Sequence, residues 1–416
     1  MLLALGDAIN YGIRAAISCV LPLLQKDLRL SDVALGLLGT FFLWTYALSS
    51  PISGTLADRY SRTRICVYSL ALWSLVMTMT GFANGLIALC AFRVALGFSE
   101  SFYLPSAIAL IGDWHGPATR ARGQNVLNCA EIVGLVAVGT IAGFLGNDHG
   151  WRAVFWVLGV AGVAFSLVLH AFLPADPRRV QTREQPPRLA ETFGYLARAY
   201  SYHILLAKVI CAGVAVWIFA TWLPYYFHES FLMKLGPASF AGTFPLAFAS
   251  LVGFPLGGWI SDRIAMRTNV RHRMFFEALS YAAAAPFMLL FRGHPAFAAV
   301  MTSLLCFGFF RSVGDSNEQA ILCEIVPSRF RSTAVGIMNM CATTAGGLGV
   351  ILTGMLKHDF GLNNIFAVTT VLIVLAALAL FAGYRFFMPR DIARAREYDP
   401  AAWSGAPDQT VKGMTK

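Results

Sequence analysis

Twelve apolar runs, most of them about twenty residues or longer, partition this 416-residue chain, and no water-soluble fold can bury so many. They lie near 2–24, 33–57, 65–83, 87–112, 123–145, 152–173, 202–227, 238–261, 274–292, 296–323, 332–356 and 363–388. Each can cross the ~30 Å hydrocarbon core as a helix, the element that satisfies its own backbone there. With 57% hydrophobic and 13% charged residues, composition agrees: this is an integral membrane protein. The first run has no basic leader and no small-residue cleavage site, which predicts a retained spanning helix and not a signal peptide.

An even number of spans puts both termini on one side. About 21 Lys and Arg fall in the loops and tail of that side, against about 6 opposite, so the termini are predicted inside, in an inner or plasma membrane. The net charge of +10 is then cytoplasmic positive charge, and no nucleic-acid partner is expected. The eight cysteines (19, 66, 90, 129, 211, 306, 323 and 341) lie inside or at the ends of apolar runs, none in a C-x-x-C pair. They read as small buried hydrophobes, neither disulfides nor zinc ligands.

Between the second and third runs stands Gly54–Arg64, reading GTLADRYSRTR. A connector this short forces an antiparallel helical hairpin, and its arginines hold it at the cytoplasmic face. Gly54 allows close helix approach, and Asp58 can accept from an Arg or a helix N-terminus. About two hundred residues later the device recurs as Gly257–Arg267, GGWISDRIAMR. Two further loops mirror one another: DWHGPATRAR at 113–122 and EIVPSRFR at 324–331. Each follows a helix of one half with an acid, a Pro and two Arg. Together they predict a latch of Asp58, Arg59, Arg62, Arg120, Arg122, Asp262, Arg263, Arg329 and Arg331 that locks the cytoplasmic face.

The loop pair resembles the signature of the major facilitator superfamily, whose G-x-x-x-D-R-x-x-R/K loop joins helices 2 and 3 with a weaker copy between helices 8 and 9. The resemblance covers roughly residues 2–390. It implies an all-α membrane fold of twelve transmembrane helices in two pseudo-symmetric six-helix bundles. The bundles are expected at 1–173 and 202–390, with a cytoplasmic linker at 174–201 and a polar, basic, partly disordered tail at 391–416. Pro and alternating charge in ADPRRVQTREQPPR suit such a linker. Gly and Pro within the spans, among them Pro51, Pro105, Gly134, Gly143, Pro224 and Pro255, suit close crossings and bending. The fifth span lacks the Gly-Pro pair of proton-coupled drug antiporters, which weighs against efflux.

Ionisable groups inside spans are expensive, and each is a functional hypothesis needing a partner. Here they are Asp7, Arg14, Arg93, Glu100, Glu131, Lys208, Glu277, Arg311, Asp315 and Glu318. Arg14 lies about a dozen residues into the first helix, near the midplane, one turn from Asn10. A guanidinium there suits a carboxylate or phosphate, since it binds two oxygens and stays charged; the plainer reading is a permanent pair with a neighbouring acid. Glu100 lies mid-membrane on the fourth helix, two turns from Arg93, and can take and release a proton or pair with Arg93 or Arg14. On the tenth helix Arg311, Asp315 and Glu318 share a face at i, i+4 and i+7. Arg311 with Asp315 reads as a compensated pair, and Glu318 as protonated or paired across the cavity; a structural network and a substrate or proton role both stay open. Lys208 is expected to snorkel to the cytoplasm, and Glu277 to sit near a helix start. Among the aromatics, Tyr46 and Trp222 are the expected cavity-lining pair.

Asn-Tyr-x-x-Arg on helix 1, with Arg-x-x-x-Gly-x-x-Glu-x-x-x-x-Pro on helix 4, resembles the anion:cation symporter branch of sugar-acid, sialic-acid and vesicular glutamate carriers. That resemblance implies that Arg14 contacts a substrate carboxylate and that Glu100 takes part in proton coupling. Two departures stand out. Ile13 replaces an acid that often precedes the Arg, and Glu131 stands where sugar-acid carriers place a substrate-binding Gln. An acid at 131 can repel an anion, bind an amine or carry a proton. Leu30-Ser31-Asp32 and the helix 1–2 pattern also look similar to spinster-type lysolipid carriers.

Taken together, these residues predict a proton-coupled symporter of a small organic anion, working by alternating access as a monomer, with no cofactor beyond a proton gradient. Substrate contacts are assigned to Arg14, Tyr46, Glu131, Trp222 and Arg311, and proton coupling to Glu100, Glu131, Asp315 and Glu318. A lysolipid carrier is the alternative, and a non-transporting receptor or scaffold is a third. Metal triads, nucleotide loops and Ser/His/Asp sets are missing from the sequence, so no metal and no enzyme are expected.

Overall fold

A computed structural model describes residues 1–114, 120–174, 189–327 and 330–398. Fifteen α-helices account for almost all of it, and no strand occurs among the described residues. The first half contains α1 (Leu2–Leu28), α2 (Asp32–Arg59), α3 (Arg62–Thr80), α4 (Leu86–Glu100), α5 (Tyr103–Trp114) and α6 (Arg120–Phe172). After α7 (Leu189–Leu196), the second half contains α8 (Tyr200–Ser230), α9 (Leu235–Arg267) and α10 (His272–Met288). Then follow α11 (Phe297–Asp315), α12 (Glu318–Ile325), α13 (Arg331–Phe360), α14 (Leu362–Ala382) and α15 (Met388–Tyr398).

Among the described residues, ten helical stretches are long and apolar enough to cross a membrane. One of them, 125–172, holds two spans: Gly150, at φ 81°, lets the chain reverse where an L side chain would strain. Helix α1, whose hydropathy is diluted by Asp7, Asn10 and Arg14, completes the twelve. Both charged loops make the hairpins that their brevity demands. Ser61 caps α3 by accepting from the Arg64 amide at 3.5 Å, and Ser31 caps α2 likewise from Ala34 at 3.2 Å.

The fourth and tenth spans are each broken, which their apolar runs do not announce. In the fourth, Pro105 offers no amide to the preceding turn, and α4 stops at Glu100. In the tenth, the Asn317 side chain donates to the carbonyls of Val313 and Gly314 at 3.2 and 3.0 Å, replacing backbone donors. The breaks fall beside Glu100 and Glu318, so each carboxyl sits at an interruption of its helix.

Within the expected linker, residues 175–188 lie outside the described residues, but α7 is a helix whose Tyr195 ring packs on Phe330 of the second half. Its Tyr195 hydroxyl donates to the Ile325 carbonyl at 2.9 Å. The tail from 391 begins as helix instead of loose chain: α15 reaches Tyr398, which meets Glu191 of α7 at 2.5 Å. Asp391 of α15 accepts from the Ser201 amide at 2.6 Å.

The two bundles meet through α1 with α8, α2 with α13, and α6 with α9. Close backbone approach is built in: a Cβ at Gly354 would stand 2.5 Å from the Asp32 carbonyl oxygen of the other bundle. Within the second bundle, a Cβ at Gly257 of the repeated loop motif would lie 2.4 Å from the Val313 carbonyl. Gly354→Val should therefore cost the packed state about 1–3 kcal/mol, the usual penalty of overpacking. A lower midpoint in thermal unfolding of purified protein is the expected result.

Candidate substrate and proton site

In the first bundle, α1 carries Asp7, Asn10, Tyr11 and Arg14 along one helical stripe. Arg14 is held by Glu100 of α4. Its Nη2 and Nε both donate to Glu100 Oε2, at 3.0 and 3.2 Å, and Asn10 Oδ1 accepts from Nη2 at 3.4 Å. Three rings surround the guanidinium: Tyr11, Tyr46 and Phe42, with centroids 4.6, 4.7 and 5.1 Å from its carbon. The Arg14 side chain retains 10% exposure and Glu100 none. Glu100 Oε1 has no hydrogen-bond partner.

This geometry resolves the alternatives for Glu100 in favour of Arg14. Arg93 is buried, and two of its nitrogens, Nε and Nη2, make no hydrogen bond. Asp7 is fully buried with both oxygens unpartnered, and Glu131 from α6 lies near it and near Tyr11. Tyr46 stands where expected, against Arg14. Trp222 does not line a cavity: it is fully buried between α8 and α13 of the second bundle, its indole nitrogen donating to the Val350 carbonyl at 3.3 Å. An aromatic this large fills a helix–helix interface as readily as a pocket.

The second bundle holds a denser cluster. Arg311 Nη1 meets Asp315 Oδ2 at 2.6 Å, as their spacing predicts. Lys208 does not snorkel outward. It is fully buried, with Nζ at 2.8 Å from Glu277, 2.8 Å from Asp315 and 2.7 Å from Glu318. Its lysine stem is too deep in the bundle to reach water, and three carboxyls supply what solvent would. Glu318 therefore pairs within its own bundle and not across a cavity. The three acids present oxygens within 4.8 Å of one another, a spacing that could hold a metal ion; the Lys208 ammonium lies against all three. Glu277 of α10, read from the sequence only as a charge near a helix start, faces Lys208, and Tyr281, which the sequence did not single out, donates to Asp315 at 2.5 Å. One signal for the site in this bundle is a repeat: Phe-Arg followed seven residues later by Glu occurs as Phe92-Arg93 with Glu100 and as Phe310-Arg311 with Glu318, though it does not reach Glu277 or Tyr281.

Among the described residues, each bundle thus groups two cations with three carboxyls at its centre: Arg14 and Arg93 with Asp7, Glu100 and Glu131, and Lys208 and Arg311 with Glu277, Asp315 and Glu318.

A second missed group ties the bundles together at the end of the molecule opposite the charged loops. Lys357 of α13 donates to Asp32 of α2 at 3.0 Å and to Tyr225 of α8 at 2.7 Å, with Glu229 at 3.3 Å. Gln25 of α1 accepts from Tyr225 at 2.5 Å and donates to Asp32 at 2.8 Å. Further in, Thr40 and Trp44 of α2 donate to the carbonyls of Gly347 and Thr344 on α13.

Of the predicted latch at the charged-loop end, the described members of the second bundle engage neighbours in that bundle. Asp262 pairs with Arg273 of the adjacent helix at 2.8 Å, because the short α9–α10 turn brings that arginine first. Arg331 donates to the carbonyls of Val326 and Cys323, closing the end of α12, and Arg263 stacks on Trp259. Arg62 opens α3, half-buried. The side chains of Asp58, Arg59, Arg120 and Arg122, and Arg329 entirely, lie outside the described residues.

A helical membrane protein of two six-helix halves, charged at its centre and clasped at one end, is built as a carrier. The sequence profile of the Major Facilitator Superfamily matches residues 3–293 and 270–405. The chain belongs to that superfamily, a family of transporters and not enzymes. It is 24% identical over 401 residues to the hexuronate transporter of Bacillus subtilis, covering 94% of each chain. It is 26% identical to the "Probable sulfoacetate transporter" of Cupriavidus necator, over 89% of this chain and 90% of that one. It is 22% identical to the "Probable galactarate/D-glucarate transporter" of Escherichia coli, over 88% and 87%. Among solved structures it superposes with a TM-score of 0.79 on a bacterial homolog of the human lysosomal transporter Spinster, in an inward-facing and occupied conformation. That pair is 21% identical, over 94% of this chain and 97% of that one.

If the Lys357 cluster clasps this end, Lys357→Met should loosen it, leaving Asp32 and Tyr225 without their cation. Spin labels at positions 29 and 231 would then report a longer distance distribution than in the unsubstituted protein. An unchanged distribution would mean that helix packing alone closes this end.

Proposed function

We propose that this carrier is a proton-coupled symporter of a small organic anion, a sugar acid or a related carboxylate. The observation that carries the reading is the Arg14–Glu100 pair, in which one carboxylate oxygen takes both guanidinium donors. The opposite carboxylate oxygen is free, and the arginine keeps a partly exposed edge inside a ring of aromatics. An incoming carboxylate can compete for Arg14 with both its oxygens, a better geometry than Glu100 offers. Once released, a charged Glu100 would be an unpaired anion in an apolar bundle, a cost of several kcal/mol that a proton removes. Anion and proton therefore enter together, and the site's charge is the same before and after.

Three relatives named for hexuronate, sulfoacetate and galactarate or glucarate support the anionic class. Tyr46 closes the aromatic ring about the site, and Glu131 beside Tyr11 adds a second acid that must be neutral or engaged when an anion binds. We place the protein in an inner or plasma membrane as a monomer, with termini and charged loops cytoplasmic, driven by the proton gradient. In that orientation the Lys357 clasp lies on the outer side.

Two substitutions test this. Arg14→Lys should weaken binding of D-glucarate or D-glucuronate about 10- to 100-fold, the worth of one or two charge-assisted hydrogen bonds. Glu100→Gln, a lasting mimic of the neutral acid, should keep counterflow in proteoliposomes but lose uptake driven by a pH gradient. Equal loss of both activities would make Glu100 structural. If thermal-shift titration finds lysophosphatidylcholine stabilising and sugar acids inert, the carrier belongs with lysolipid transport.

A further inference from the structure

We propose that the second bundle contains a proton site of its own, in which Glu277 holds the proton and Lys208 answers its loss. The proposal deepens the proton-coupled reading above by adding a site remote from Arg14.

Charge balance is the first ground. Glu277, Asp315 and Glu318 face two cations, Lys208 and Arg311, so one carboxyl is in excess within the cluster. An uncompensated anion at this depth is among the costliest things a membrane helix can carry. One of the three must be neutral.

Hydrogen bonding identifies which. Asp315 accepts from Lys208 at 2.8 Å, from Arg311 at 2.6 Å and from Tyr281 at 2.5 Å, a set of donors that only a carboxylate uses fully. Glu318 accepts from Lys208 at 2.7 Å and keeps 21% of its side chain exposed, so water shares its charge. Glu277 has neither advantage. It is fully buried, its Oε1 lies 2.8 Å from Lys208 without hydrogen-bond geometry, and its Oε2 touches no donor. An orphaned buried carboxyl oxygen is where a proton belongs.

Lys208, Asp315 and Glu318 are the charged groups that face Glu277, and Tyr384 of the segment 383–387 packs on α10 at His272 and Phe275. Lys208 comes from α8, Asp315 from α11, Glu318 from α12 and Tyr281 from its own helix, with Arg311 behind Asp315. From α14 the neighbour is apolar, Phe381 against Phe275. On α9, Asp262 is engaged by Arg273, one turn before Glu277, and is largely exposed. The cluster is layered: Glu277 and Lys208 inside, Asp315 and Glu318 at its partly exposed edge. A proton leaving Glu277 passes to the edge through Glu318, and the new carboxylate draws the Lys208 ammonium inward from Asp315 and Glu318. Arg311 would then hold Asp315 alone, so the proton count of the bundle sets which acids its cations hold.

Infrared difference spectra of the purified protein, recorded between acid and alkaline buffer without substrate, test this directly. The unsubstituted protein should show the carbonyl band of a protonated carboxylic acid, and Glu277→Gln should lose that contribution while Glu318→Gln keeps it. Glu277→Gln should also retain the thermal midpoint, because an amide replaces a neutral acid, whereas Asp315→Asn should lower it by removing a charge that three donors use. An unchanged band in Glu277→Gln overturns the proposal. So does a loss of stability or folding as large as that of Asp315→Asn, since it would show that Glu277 is charged. Because no substrate takes part, failure here leaves the Arg14–Glu100 reading standing.

Discussion

A charge inside hydrocarbon must have a partner, and that constraint shapes both halves of this carrier. Arg14 is tolerable because Glu100 and three aromatic rings surround it; Lys208 because three acids do. Such pairs contribute little net stability compared with an apolar core, but breaking one by removing a single partner costs about 3–5 kcal/mol. A ligand that supplies a new partner avoids that cost. In the proposed cycle the central pair is the switch that a carboxylate and a proton operate jointly.

Movement of substrate across a membrane also needs a protein that closes at one end at a time. The observed state is clasped at one end by Lys357, Asp32, Tyr225 and Gln25, contributed by four helices from both bundles. Gly354 against the Asp32 carbonyl lets the backbones come close enough for those bonds to form. At the charged-loop end, Asp262 and Arg331 are satisfied inside the second bundle, by Arg273 and by the carbonyls of α12. Asp262 and Arg331 thus brace turns within the second bundle in this state, and the clasp is assembled from residues at the far helix ends.

Much of this was legible in the chain. Span number, hairpins and bundle symmetry followed from apolar length and from the repeated Asp-Arg loops, because a bilayer leaves the backbone few alternatives. Arg311 with Asp315 was readable since both lie on one helix, one turn apart. Lys208 was misread because a long cation near a helix start ordinarily reaches water, and its partner Glu318 is 110 residues away. The clasp was invisible for the same reason: Lys357 and Asp32 are 325 residues apart, and each alone resembles a charge at a span boundary. Trp222 shows the opposite limit, since size and hydrophobicity do not say whether an aromatic faces a cavity or a neighbouring helix. The helix breaks beside Glu100 and Glu318 depend on Pro105 and on the Asn317 side chain, local effects that hydropathy averages away.

The central claim is that an anion takes Arg14 from Glu100 and a proton takes its place. Calorimetric titration of a bound sugar acid in buffers of differing ionisation enthalpy measures this without membranes or gradients. The account predicts a binding enthalpy that varies linearly with buffer enthalpy, with a slope of about one proton taken up per anion bound. A slope of zero, with binding intact, would contradict it: the anion would then bind with no proton, and Arg14 would hold both carboxylates or release Glu100 charged.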